Sequence, residues 1–485
     1  MVDVVYACGL HREMINTRTE TAMQTYDSYQ SPFSWRYASP EMRRIWSEVN
    51  KRLLWRQMWV ALAETQAEYG LVSADQVSDL RAFASDIDIE RSLQIEAEIR
   101  HDVMAEVRTF AEQCPVGGPV IHLGATSMDI RDNAEVLQLR HALDLLLTKL
   151  DRLLKIFAVQ IERHAALPAI AFTHLQPAEP TTYGYRLSVY AQDLLGDWQT
   201  LRRVRAELRG KGFKGAVGTS ASYAALLGLE NLEAFEQKLS EKLDLPFYPV
   251  SSQTYPRKQD YTVLCALAGL GASLYKFAAD VRLLQSPPIG EVSEPFGAKQ
   301  VGSSAMPFKR NPIKAEQIDS LARLLAAMPQ TAWENAAHSY LERTLDDSAN
   351  RRSLLPEAFL ICDEIVDSAA GLLEGLKIYP AAIERNLADY APFAATERVL
   401  MELGKRGADR QKMHELLRVH AMLAWKQVQS GQPNDLAARL QADDTLVNYL
   451  GKDKLEDLLD VKGYTGLAQP RALGMVAHIR QELHG

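Results

Sequence analysis

The chain has 485 residues, of which 47% are hydrophobic and 24% charged, with a formal net charge of −8. That length exceeds what one hydrophobic core supports, and the composition is that of an ordinary soluble protein of two or three domains. The acidic balance argues against a general nucleic-acid surface, leaving local clusters such as Lys309-Arg310 and Arg351-Arg352 to bind a small anion.

Four cysteines (Cys8, Cys114, Cys265 and Cys362) form no CxxC pair, which favours a reducing compartment over a zinc ribbon or disulfide scaffold. Asp3, His11, Arg12 and Glu13 surround a short apolar run, so no signal peptide is expected. No run of 18 uninterrupted apolar residues occurs, so a membrane span is not expected either. The resulting expectation is a cytoplasmic protein.

In chain order, residues 1–40 read as irregular, with Pro32 and Pro40 around a polar stretch. Helical pattern starts near Glu41 and continues through Trp46, Leu53, Leu54, Met58 and Leu62. Ser73 with Gln76, and Ser85 before Ile87, have the form of helix starts. A helical stretch is predicted over 87–112, carrying Arg100-His101-Asp102, and Cys114 through Pro119 ends it. A turn follows from Ile121 to Ser127. Then Val136, Leu139, Leu143, Leu146, Leu150, Leu153 and Phe157 recur every three or four residues, giving a helix well beyond the average of about 11–12 residues.

Further long helices are predicted over 183–209, 258–286, 312–345 and 356–375, with polar connectors at 173–182, 214–220 and 290–312. The last connector, about 23 residues, is longer than antiparallel helices need, as for a lid or binding loop. From Tyr379 the periods shorten, with breaks at Pro392, Gly404–Gly407, Gly431-Gln432-Pro433 and Gly463. The expected architecture is all-α in three domains: 1–122, a central long-helix bundle over 123–376, and a smaller helical domain over 377–485.

The connector Gly302-Ser303-Ser304-Ala305-Met306-Pro307-Phe308-Lys309-Arg310-Asn311-Pro312 is the richest in chemistry. Gly302 permits close backbone approach, converging amides can form an anion nest, and Lys309 and Asn311 add a point charge and an amide. A serine acts as a base only as its alkoxide, which needs such surroundings. His174 at a polar turn is either idle or a proton donor. Glu316 reads as a first-turn acid, or as the carboxylate that sets a histidine tautomer. Arg100, His101, Asp102, His122, Thr126, Ser127 and Gln253 form a second polar group. Arg343 and Arg352, with Ser348 between them, suit phosphate oxygens. No HExxH, EF-hand, Walker A or GxGxxG pattern appears, so no obligatory metal is expected.

The 302–312 loop resembles the signature of the fumarase/aspartase/argininosuccinate lyase superfamily. With the segments 36–42, 100–105, 173–177 and 343–352, the chain is similar to the adenylosuccinate lyase family within it. The resemblance implies a cofactor-free C–N lyase of purine biosynthesis that releases fumarate from adenylosuccinate and from the succinyl-carboxamide ribotide by anti β-elimination. It implies Ser303 as general base, His174 as general acid, and Glu316 as the partner of that histidine. It further implies Lys309, Asn311, Thr126 and Ser127 on the fumarate side, and Arg36, Tyr37, Arg343, Ser348 and Arg352 on the nucleotide side. Arg100, His101, Asp102 and Gln253 would line the same site. A homotetramer with each site built from three subunits is also implied. Two departures touch the nucleotide side: Trp35 precedes Arg36, and Gln317 stands where some members carry arginine. Argininosuccinate lyase, fumarase and cycloisomerases share the loop, but their substrates would leave Arg36, Arg343 and Arg352 without a 5′-phosphate. A helical scaffold without activity is the alternative of a different class.

Overall fold

In the computed structural model, residues 27–484 are described. Cys8 and the N-terminal reading built on Asp3, His11, Arg12 and Glu13 lie outside them. Ser31 and Ser39 cap two short helices, Pro32–Trp35 and Pro40–Ile45, each with proline in its first turn where the missing N–H costs nothing. The stretch before Glu41 is therefore less irregular than expected. Helix Glu48–Ala67 follows, and Ala74–Phe83 starts on the Ser73/Gln76 capping box.

The helix predicted over 87–112 is two helices. Ile89–Ile99 is capped by Asp88 rather than Ser85, and Asp102–Gln113 by His101, whose Nδ1 accepts from the Met104 N–H at 3.2 Å. Arg100 between them adopts a left-handed conformation, φ 57°. Arg100-His101-Asp102 is thus a corner that presents side chains, not a helix face. Buried Arg52 and Arg56 share Glu106 at 3.3 and 2.8 Å, and Arg56 also donates to the Phe83 and Asp86 carbonyls. These bonds fasten the neighbouring corner.

Five long helices form the bundle: Ser127–Arg163, Tyr183–Glu207, Lys258–Gln285, Ile313–Ala337 and Asp346–Glu374. The first, at 37 residues, is about 55 Å long. All seven apolar positions that predicted it, Val136 to Phe157, are withdrawn from solvent. Phe157 meets the Phe277 ring edge-on at 5.4 Å. Lys258–Gln285 is apolar and long enough to cross a membrane by length and composition, but its Leu264, Leu267, Leu270 and Leu274 are buried within the bundle. The helix expected over 312–345 stops at Ala337, and the next begins at Asp346, not 356. Two acids in its first turn favour that start. Pro356 sits inside it, and Pro392 sits inside Pro380–Lys405 where a break was expected. Each proline removes one hydrogen bond. Buried neighbours on both sides (Leu355 and Phe359, Ala391 and Ala395) outweigh that loss.

The connector at 173–182 is also more ordered than expected. Pro168–Thr173 pairs antiparallel with Gln176–Thr182, and His174 and Leu175 form the turn with φ 53° and 59°. Two positive-φ residues match the twist of a hairpin. Pro177 and Pro180 hid this strand, because proline is tolerated in strands only at edges or bulges. A two-residue pair, Val292–Ser293 with Lys377–Ile378, closes the base of the 290–312 loop.

One buried core runs without a break from Phe33 through the bundle to Ile479. A separate core joins Val399 to Leu458. The final helix, Ala468–His484, leaves that second core and returns Ala472, Val476 and Ile479 to the first.

Gly184 marks the tightest helix start: a Cβ there would lie 2.6 Å from the Ala165 Cα and the Ile161 carbonyl. Gly184→Ala is expected to cost about 1–3 kcal/mol by overpacking. Gly474, mid-helix with nothing within 4 Å, should by contrast tolerate alanine or gain up to about 1 kcal/mol. Thermal unfolding midpoints check both, and an unchanged midpoint for Gly184→Ala would contradict the close approach.

Candidate active site

The loop bearing Ser303 is pinned at its base and exposed at its tip. The Glu291 carbonyl accepts from the Tyr379 N–H at 2.9 Å, and the Ser293 and Tyr379 hydroxyls meet at 2.8 Å. Buried Glu294 turns its carboxylate onto the Lys314 and Ala315 N–H groups at 3.1 and 2.6 Å. That caps the helix carrying Glu316. Burial raises the Glu294 pKa, and those two N–H bonds oppose the rise. Buried Glu291 holds Arg186 at 3.0 Å, whose other arm donates to the Ile170 carbonyl at 2.7 Å. The base of the Ser303 loop and the hairpin bearing His174 are thereby tied together.

Beyond this base, Val301 and Phe308 are exposed. The loop closes on itself: Asn311 Nδ2 donates to the Gly302 carbonyl at 3.1 Å, and a Cβ on Gly302 would lie 2.1 Å from the Lys309 carbonyl. Ser303 Oγ accepts from the Ala305 and Met306 N–H groups at 3.3 and 3.1 Å. Two amides aimed at one hydroxyl oxygen favour its anionic form. Lys309 is exposed on the same loop.

Apart from Ser303, Lys309 and Asn311 on this loop, the site residues expected from sequence fall in three places within one chain. Arg36, Tyr37, Glu316 and Gln317 line an open cleft of about 1150 Å³, joined by Gln300 of the loop. Arg36 lies between the rings of Trp35 and Tyr37, at 5.8 and 5.9 Å. Its segment is anchored by the Ala38 N–H on Glu364 at 2.9 Å and the Ser39 N–H on Asp363 at 2.6 Å. Gln317 donates to the same Glu364 at 2.6 Å, so of the two departures Gln317 lines this cleft itself and Trp35 meets it through Arg36. Glu316 faces Arg282 at 4.0 Å. His174 lines a different cleft of about 620 Å³ with Phe172, Arg186, Tyr190, Lys276 and Asp280. A single chain therefore does not bring Glu316 to His174.

The third group gathers around the amino end of Ser127–Arg163. Asp102 accepts from Arg352 at 3.0 Å and the Val103 N–H at 2.8 Å, with Arg131 at 3.4 Å. Burial opposes ionisation of Asp102, but Arg131, the Val103 N–H and Arg352 outweigh it and hold the carboxyl below its usual range. The Gln253 N–H donates to the Glu342 carbonyl at 3.2 Å, beside Arg343, and Ser348 sits in the first turn of its helix. Thr126 and Ser127 open the 37-residue helix, whose positive end favours a carboxylate. Trp59 Nε1 donates to His122 Nδ1 at 3.0 Å. Burial lowers the His122 pKa and favours a neutral ring, with Asp129 opposing the shift and His101 adding to it.

Sequence reasoning passed over the residues that organise this end. Buried Asp129 accepts from the Thr126, Lys214 and Gly215 N–H groups at 3.0–3.2 Å, from the Tyr223 hydroxyl at 3.1 Å, and from Lys211. Its place three residues after Thr126 has the form of a helix-start pair and offered a signal. Asp132, Arg131 and Arg257 carried none, because their partners lie far away in sequence.

A family model described as "Lyase" matches residues 24–325, more than half of the chain, and one described as "Adenylosuccinate lyase C-terminus" matches 392–471. The chain is 41% identical over 428 residues to an adenylosuccinate lyase of Schistosoma mansoni, covering 87% of this chain and 89% of the relative. It is 39% identical over 454 residues to that of Saccharomyces cerevisiae, covering 92% and 93%. Among solved structures, a 3-carboxy-cis,cis-muconate lactonizing enzyme from Pseudomonas putida superposes with a TM-score of 0.82 at 27% identity, covering 93% of this chain and 99% of that one. A fumarate lyase from Mesorhizobium superposes at 0.81 with 25% identity, with the same coverage. Matches of this extent, carried on a central bundle with the Ser303 loop at its edge, leave one assignment: the chain belongs to the adenylosuccinate lyase family of the fumarase/aspartase/argininosuccinate lyase superfamily.

Proposed function

We propose that the enzyme cleaves adenylosuccinate to AMP and fumarate, and the succinyl-carboxamide ribotide to its carboxamide and fumarate, by anti β-elimination. The observation that carries this reading is Ser303 Oγ held by two backbone N–H groups on a loop flanked by Lys309 and Asn311. As an alkoxide, Ser303 takes the proton from the carbon beside a carboxylate. The electron pair forms the fumarate double bond, the C–N bond breaks, and imidazolium His174 protonates the departing nitrogen. Lys309, Asn311 and loop amides stabilise charge developing on the carboxylate, with Thr126 and Ser127 on the same side. Glu316 orients the acid histidine. The 290–312 loop closes over the substrate and excludes water. Arg36, Tyr37, Arg343, Ser348 and Arg352 hold the nucleotide phosphate, and Arg100, His101, Asp102 and Gln253 line the remaining wall.

This reading extends to a homotetramer whose sites each draw on three subunits. In one chain the Arg36 segment docks at Asp363 and Glu364. Glu364 lies twelve residues past Arg352 on the same helix, about 18 Å along its axis. Ser348 lies four residues further from that dock, and this separation favours a phosphate held by residues of more than one chain. Val189, Leu283, Leu324 and Trp333 are 42–47% exposed on the bundle, the kind of surface that subunits bury against each other. A cytoplasmic location belongs to the same proposal.

Ultraviolet absorbance with adenylosuccinate, argininosuccinate and fumarate as alternative substrates tests the reaction. Turnover of adenylosuccinate alone is expected, and no change with it would overturn the assignment. Ser303→Ala should lower kcat by about 10²–10⁴-fold with substrate binding nearly intact, and near-normal turnover would remove the base role. Gly302→Ala should lose activity while keeping its thermal midpoint, because it opens an exposed loop rather than a core. Co-refolding inactive Ser303→Ala with inactive His174→Ala subunits should restore activity. No recovery would count against shared sites.

A further inference from the structure

Arg343 is reached from the interior by a chain of alternating charges. Asp132, on the first bundle helix, accepts from both terminal nitrogens of Arg257 at 3.1 and 3.2 Å. Arg257 turns its Nε to Asp347 Oδ2 at 2.7 Å, and Asp347 Oδ1 receives Arg343 Nη1 at 2.8 Å. Asp132, Arg257 and Asp347 are 1%, 3% and 2% exposed, whereas the Arg343 side chain reaches 16%. The chain is thus closed at its inner end and surfaces only at Arg343. The backbone runs beside it, with the Tyr255 N–H on Asp132 at 2.9 Å and the Gln253 N–H on the Glu342 carbonyl at 3.2 Å.

Stability alone does not call for this arrangement, since a buried ion pair roughly breaks even against well-packed apolar side chains. Its effect is geometric. The two carboxylates and two guanidiniums cancel, so Arg343 offers a dianion little net charge from this set. What it offers is a planar fork of N–H groups, and a fork binds phosphate only when correctly aimed. Asp347 engages one terminal nitrogen of the fork, Nη1, and the Arg343 side chain remains partly exposed. Arg343 belongs to the segment between two bundle helices, residues 338–345, where no regular helix would otherwise hold it.

We infer that Asp347 is a positioning residue: braced by Arg257 and Asp132, it aims the Arg343 guanidinium at the 5′-phosphate of the nucleotide substrate. The inference rests on the proposed reading of Arg343 as a phosphate ligand. It adds that the amino end of the first bundle helix, which also bears Thr126 and Ser127, sets the span between the fumarate and phosphate ends of the site.

The test compares adenylosuccinate with its dephosphorylated nucleoside in the wild type, Asp347→Asn, Arg343→Ala and the double variant. Asp347→Asn is expected to raise KM for adenylosuccinate about tenfold with kcat within about threefold, and to leave kcat/KM for the nucleoside unchanged. Arg343→Ala should show the same phosphate-dependent loss, and the double variant should be no worse than Arg343→Ala alone. If Arg343→Ala loses phosphate dependence but Asp347→Asn does not, the positioning role is overturned and the phosphate reading stands. If Arg343→Ala weakens both substrates equally, the phosphate reading fails and the inference falls with it. If Asp347→Asn weakens both substrates equally, its role is only structural and the inference is overturned. Should Asp347→Asn not fold, Asp347→Glu keeps the charge, displaces the carboxylate by one methylene, and must show the same phosphate-dependent rise in KM.

Discussion

Complete withdrawal from water of the apolar stripe on Ser127–Arg163 is the constraint on which the rest of the molecule depends. Val136 through Phe157 are sealed along six turns, and the other bundle helices, the N-terminal helices and the returning C-terminal helix all complete that one core. A stripe of this length has to be covered along its whole length, so its neighbours must also be long. The connections between them are then forced to the two ends of the bundle, which is where the polar residues gather.

The same helix changes character at its amino end. Asp129 and Asp132 replace the leucines, and each spends its lone pairs on groups from distant segments: Lys211, Lys214, Gly215 and Tyr223 for the first, Tyr255 and Arg257 for the second. Leaving a buried carboxylate unpaired is costly. That cost makes the two acids organisers of a rigid polar floor beneath Thr126, Ser127, Gln253 and Arg343. Precise placement of substrate-binding groups is better served by such a floor than by loops alone.

The Ser303 loop follows the opposite design. Its base is fixed by Glu291, Glu294 and the short strand pair, and its tip is held mainly by its own hydrogen bonds. A segment with a fixed hinge and few core contacts can move without disturbing the bundle, which suits the closing role proposed for it. The Arg186 bridge links its base to the His174 hairpin, so the proposed base and acid rest on one shared support even though they line different clefts.

Much was legible in sequence. The period of Val136 to Phe157, the breakers around 302–312 and the Ser73/Gln76 pair are local signals, and local signals were enough for the all-α bundle, its long first helix and the exposed loop, though not for every helix end. Where a residue's role depends on partners far along the chain, sequence was silent or misleading. Pro356 was expected to open a helix and Pro392 to break one, yet both are helix-internal because burial on both sides outweighs one lost hydrogen bond. Pro177 and Pro180 masked an edge strand. Arg100-His101-Asp102 became a corner once the His101 side chain capped the next helix. The separation of Glu316 from His174 within one chain, and the path from Asp132 through Arg257 and Asp347 to Arg343, were decided by tertiary structure alone. Hydrophobic periodicity records which face of a helix is buried, but an ion pair between residues more than a hundred positions apart exists only after the chain has folded around it.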